Sequence, residues 1–286
     1  MKTSLRFTSI GRRLPATAAT LLMGACLAVM APAHAQAQTA APDTPTAAPP
    51  QASVTRDARA SKLIGKEVRN PQHQKLGEIR DLILDVNNDA IHYAILSFGG
   101  AMGVGDKLFA FPLTAFQYQG ANEDLVLDVT KERLRSAPGF EKRNWPNWAQ
   151  PDYAMELERY FGATGKIPAR PNARLLRASD LLGKNVDDQN GKDAGRVEDL
   201  VVSLRTAHVR YVVLEFDRAW SLNDKLLALP MKALKVPDDK KNDLVLTLTR
   251  NDLDAQQAFD RKQWPDLNEP GYRSSVDNWL AKLRQH

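Results

Sequence analysis

Thiol and imidazole chemistry are nearly missing from this chain: 286 residues hold one cysteine, Cys26, and five histidines. A single cysteine builds neither an intramolecular disulfide framework nor a cysteine-based zinc site. His73, His92, His208 and His286, the histidines outside the first 35 residues, stand at no paired metal-ligand spacing. Long apolar runs are scarce as well. Residues 16–30 form the main one, and it falls short of the ~20 strongly apolar residues that a membrane helix needs. No nucleophile elbow and no Ser-His-Asp order can be placed, so a hydrolase has no constellation to carry it.

What the N-terminus does hold is an address. Lys2, Arg6, Arg12 and Arg13 precede the apolar stretch with no acid among them, and Ala33-His34-Ala35 closes it. This is the three-part layout of a cleavable secretory signal over 1–35, with cleavage expected after Ala35. Met23-Gly24-Ala25-Cys26 resembles a lipobox, which leaves lipidation at Cys26 as the minority route. The expected location is periplasmic or secreted, with no transmembrane helix in the mature chain. Loss of the leader removes four positive charges and lowers the net charge from +5 to +1. The basic pI therefore argues for no nucleic-acid partner. Residues 36–60, rich in Ala, Pro, Thr and Gln, read as a flexible tether.

The remainder is a duplication. Residues 61–112 align without a gap on 179–230, and roughly a third of the pairs are identical. Shared positions include Gly77 with Gly195, Asp81-Leu82 with Asp199-Leu200, Tyr93 with Tyr211 and Asp106-Lys107-Leu108 with Asp224-Lys225-Leu226. After one inserted residue in 237–243 the register resumes and carries Phe140, Trp145-Pro146 and Tyr153 onto Phe259, Trp264-Pro265 and Tyr272. Two units are expected, 61–162 and 179–286, joined by a linker over 163–178.

Within each unit, β-branched runs at 75–86 and 90–98 flank Asn87-Asn88-Asp89, whose residues tolerate positive φ, so a hairpin is predicted. Strands are predicted over 107–113 and 125–130, and again over 226–231 and 244–249, with helical turns at 131–135 and 251–255. Leu157, Tyr160 and Phe161, like Val276, Trp279, Leu280 and Leu283, fall at helical spacing and predict a C-terminal helix on each unit. The expected fold is mainly β: two tandem small antiparallel β-barrels, each with a short helical extension.

The combination LIGKEV, GEIRDLILDV, GVGDKLFAFP, LVLDVTKERL and NWP, at these spacings, resembles the PRC-barrel family. The second copy keeps LLGK, GRVEDLVV, NDKLLALP and Trp264-Pro265 but replaces the glycine-rich connection with 218–223. The resemblance implies a docking module without catalytic residues. Its best-known setting, the photosynthetic reaction centre H subunit, suggests an accessory of an electron-transport or quinone-associated complex as the alternative.

Recurring carboxylates invite a chemical reading. Asp81 with Asp199, and Asp106 with Asp224, recur as lone carboxylates and suggest structural hydrogen bonds rather than acid–base work. Asp85-x-Asn87-x-Asp89 starts like a calcium loop but lacks its glycine and distal glutamate, so it reads as a turn. No cofactor, metal or catalytic residue is expected. The candidate interaction residues are Met102 and Val104 in one repeat, with Trp220 and Leu222 at the equivalent positions of the other. Apolar tips on a polar connection cost hydration unless covered, either by intramolecular pairing of the two barrels or by a protein partner in the envelope.

Overall fold

The repeated sequence pattern is translated twice into nearly the same order of elements. The computed structural model describes residues 56–99, 107–119, 124–148, 151–162, 172–216, 225–253 and 258–283, all within one unit, Ala52–His286. The first repeat runs β1 (Asp57–Arg59), α1 (Ala60–Leu63), β2 (Glu67–Arg69), β3 (Lys75–Asp85), β4 (Ala90–Phe98), β5 (Lys107–Phe111), β6 (Phe116–Gln119), β7 (Asp124–Leu127), α2 (Lys131–Ser136), β8 (Phe140–Glu141) and α3 (Pro151–Phe161). The second repeats it as β9 (Leu175–Arg177), α4 (Ala178–Leu181), β10 (Asn185–Asp187), β11 (Asp193–Ser203), β12 (His208–Phe216), β13 (Leu226–Leu229), β14 (Leu234–Lys235), β15 (Leu244–Leu246), α5 (Arg250–Leu253) and α6 (Pro270–Leu283).

The predicted hairpin forms between β3 and β4, with Asp89 at φ 50° in its turn. The next strand is shorter than predicted. β5 stops at Phe111 because Pro112 has no N–H to donate and leads into a 3-10 turn at Leu113–Ala115. Pairing is also not wholly antiparallel, since β2 joins β7 and β10 joins β15 in parallel, the intervening hairpin carrying the chain across. A larger correction concerns the boundaries. Residues 57–60 and 175–178, assigned to tether and linker on composition, form β1, β9 and the first residues of α1 and α4.

Those two short strands define the architecture. β1 of the first repeat pairs with β11 of the second, and β9 of the second pairs with β3 of the first. The bonded path runs β14-β15-β10-β11-β12-β4-β3-β2-β7-β6, a palindrome in repeat positions whose ends do not meet. At its centre Ile91 N donates to Ala207 O at 2.7 Å and Val209 N donates to Asp89 O at 2.8 Å. The fold is thus mainly β, with each repeat's sheet extended by a strand from the other.

Burial follows from this exchange. The first half of β3 alternates between buried and more exposed residues, whereas Leu82, Ile83 and Leu84 are all fully buried. Leu200, Val201 and Val202 repeat the pattern in β11. A continuous apolar run is what a strand covered on both faces requires. The predicted helices α3 and α6 pack on their own repeats: Phe161 meets the Phe111 ring at 4.8 Å, and Val276 lies in a cluster with Val201, Tyr211 and Val213.

Candidate functional site

The seam between repeats gathers the residues that recur in the sequence. A bulge leaves Arg80 unopposed between the Ile79–Leu96 and Asp81–Ile95 pairs, and a second does the same for Glu198 before Asp199. Bulges re-aim the next side chain. Here each sets a buried aspartate against the helical turn contributed by the other repeat. Asp199 Oδ1 accepts from Ser61 N at 3.1 Å, and its Oδ2 accepts from Ser61 Oγ at 2.5 Å and from Arg59 Nε at 2.7 Å. Asp81 accepts from Ser179 N at 3.2 Å and Ser179 Oγ at 2.5 Å. Neither α1 nor α4 has a capping side chain of its own. The carboxylate of one repeat therefore satisfies the open N–H groups of the other's helical turn.

A second reciprocal contact lies beside it. The Arg59 guanidinium stacks 3.7 Å from the Trp264 ring centre, and Arg177 stands 5.4 Å from that of Trp145. Such cation–π contacts contribute on the order of 1 kcal/mol, more when desolvated. The repeated Trp-Pro element is thereby explained as a platform for the other repeat's arginine. Sequence reasoning gave Asp81 and Asp199 a structural role but missed their partners. The signal was present in Arg56-x-x-Arg59-Ala60-Ser61 against Arg174-x-x-Arg177-Ala178-Ser179, just ahead of where the alignment was begun.

At one register position the two seams differ. Asp57 of β1 lies opposite Ser203, whereas Leu175 of β9 lies opposite Asp85. The Asp57 side chain is fully buried, with Oδ2 3.4 Å from Nε of both Arg210 and Arg273. Its backbone N–H donates to Asn268 Oδ1 at 2.7 Å. Burial raises the Asp57 pKa, an effect that Arg210, Arg273 and the Ser203 hydroxyl oppose without cancelling. Asp85 serves its turn instead, accepting from Asn87 N at 3.1 Å, Asn88 Nδ2 at 2.6 Å and Arg174 N at 3.0 Å, with His92 Nε2 at 3.6 Å. These bonds use the carboxylate as a turn brace, in keeping with the turn reading over the calcium one.

On the outer side of the first repeat, Phe140, Trp145, Trp148, Tyr153 and Tyr93 form one aromatic cluster, with Trp148 4.9 Å from Tyr93 and 5.7 Å from both Phe140 and Tyr153. Trp145 and Trp148 remain half-buried beside the exposed Lys142 and Arg143. The second repeat has Leu267 where the first has Trp148. Burial pushes Tyr93 and Tyr272 up to about 12 and raises Tyr153 and Tyr211 further.

Met102, Val104, Trp220 and Leu222 lie outside the described residues. The ends of their connections do not. Phe98 pairs with Lys107, and Lys107 and Leu108 pair with Glu141 and Phe140, so the base of the first connection adjoins the aromatic cluster. In the second repeat Leu226 and Phe259 exchange backbone bonds of 2.8 and 3.0 Å, and the Phe259 ring meets Trp264 at 5.1 Å. Among the described residues no group of His, Cys, Asp and Glu is arranged to hold a metal ion, and no helix is long and apolar enough to cross a membrane.

Compared with known proteins, the chain is matched twice by the family model described as PRC-barrel domain, over residues 56–134 and 174–251. No curated protein matches it. Both matches begin at the arginines just before β1 and β9, Arg56 and Arg174, upstream of 61 and 179.

Proposed function

The chain belongs to the PRC-barrel domain family, and from that premise we propose that it is an exported, non-catalytic docking protein of the bacterial envelope, its two modules completed by strand exchange into one body that binds a protein partner. The observation that carries this reading is the half-buried Trp145–Trp148 pair, part of a cluster of five packed aromatics and flanked by Lys142 and Arg143. Aromatic and basic residues anchored in a rigid base are the composition of binding hot spots. Met102 and Val104, on the connection whose base adjoins this cluster, extend the proposed surface, and Trp220 and Leu222 supply its counterpart on the second module. The leader over 1–35 supports export, and the Ala-, Pro- and Thr-rich stretch ahead of β1 would give the body reach from an anchoring point or a pore.

The test is in-cell crosslinking of the tagged full chain, with N-terminal sequencing of the mature product. We expect a chain starting at Gln36 and one dominant crosslinked partner, whose recovery falls at least about tenfold in Trp148→Ala and Met102→Ser variants that still melt cooperatively. Equal recovery from wild type and both variants overturns the docking surface. A thermal shift with quinones, absent with unrelated ligands, would replace it with the electron-transport alternative.

A further inference from the structure

The unequal seams have a consequence for which repeats can pair. β1 and β9 occupy equivalent positions, and so do Ser203 and Asp85, because each seam is the other displaced by one repeat. Unlike repeats thus place one carboxylate at this register position of each seam: Asp57 opposite Ser203, and Asp85 opposite Leu175. Two first repeats paired in the same geometry would set Asp57 directly opposite Asp85, both with fully buried side chains. Two second repeats would set Leu175 opposite Ser203 and deprive the guanidinium groups of Arg210 and Arg273 of Asp57.

We propose that these positions form a pairing code: one carboxylate at this register position of each seam, carried on β3 in one and on the exchanged strand β1 in the other, which makes a repeat accept an unlike repeat and reject a second copy of itself. Like charges directly opposite on adjacent strands are destabilising, and in a buried seam water cannot screen them. The rejecting element is as much a part of specificity as the attractive one. The raised pKa of Asp57 fits this reading, since a seam that already disfavours one ionised carboxylate next to two arginines would resist a second next to none. The wider seam contacts, Asp81 with Ser179 and Asp199 with Ser61, are chemically the same in both directions and would not discriminate.

The experiment starts from the full chain with a protease site placed within 163–171, cut after folding, then unfolded, refolded and counted as pairs by native mass spectrometry. Random pairing gives equal amounts of unlike and like pairs; we expect unlike pairs in at least about tenfold excess. Asp57→Leu, which recreates the Leu175–Asp85 pair in a pairing of first repeats, should make such pairs appear. Equal amounts in the wild type, or no first-repeat pairs from the variant, overturns the code. Should the cut halves fail to reassemble, the uncut chain decides. Ser203→Asp then lowers the melting temperature more at pH 7 than at pH 4, and adding Asp57→Leu recovers most of the loss. Neutrality of Ser203→Asp, or no rescue, overturns the proposal.

Discussion

Gly77 and Gly195 occupy the same place in β3 and β11 for a reason that is steric. A Cβ on Gly77 would sit 1.8 Å from Ser97 O, and one on Gly195 2.0 Å from Glu215 O, both rigid backbone atoms. Gly195 also has φ 140°, which L side chains rarely adopt. Gly77→Ala should therefore destabilise by about 3 kcal/mol or more, as overpacking against backbone does, measured by urea unfolding. The recurrence of this glycine was legible in the sequence, and its cause was not, because the close approach is made by a strand about 20 residues away. A less legible residue is His73. It takes φ 58° at the position where the second repeat has Gly191 at φ 73°, so the turn keeps one backbone shape with two residue types. Nothing in the Asn70-Pro71 pair that opens this turn marks the strained residue two places on.

The elements divide by length. The β3–β4 hairpin and the helices α3 and α6 carry enough periodic positions to declare themselves, and the turn residues at 87–89 fix the first. β1 and β9 have three residues each, no period to read and a tether-like setting, so their pairing is decided wholly by tertiary contacts. The contacts that hold them are the ones whose loss should show. Asp199→Ala removes the acceptor for Ser61 N, Ser61 Oγ and Arg59 Nε at once, leaving a guanidinium and a helical turn without their bonds. A loss of about 3–4 kcal/mol is expected, with amide exchange at Ala58 and Arg59 rising more than at Leu82 and Ile83. Equal acceleration at both places would mean that the aspartate serves the core rather than the exchanged strand.

For the molecule as a whole, the alkaline limb of stability rests on buried phenols. Tyr93 and Tyr272 ionise near 12 and Tyr153 and Tyr211 higher in the folded chain, against an unfolded value near 10. Between these values the unfolded chain releases protons that the folded chain keeps, so stability is full below pH 10 and falls as pH rises through 10–12. Absorbance at 295 nm should show four of the six tyrosines ionising late and together with unfolding. Asp57 acts with the same sign at the other end of the scale. Its raised folded value makes its contribution greatest below 3.8, declining as pH rises above it, and Asp57→Asn should flatten that part of the profile. At this scale the duplication and the mainly β class were legible, because they are written in repeated motifs. The crossing of strands between repeats was not, since a reciprocal exchange and two self-contained units can share one sequence pattern.

The reciprocal seam also bears on when the chain can finish folding. Arg59 meets its carboxylate 140 residues further along, so whether the polypeptide emerges from a ribosome or through a narrow pore, β1 waits without its partner strand until β11 of the second repeat has followed. Contacts so distant in sequence make late, slow closure the rule. A chain threaded N-terminus first would keep its leading strand undocked through most of its passage, and the docking of β1 would act as a timer that starts only once β11 has arrived.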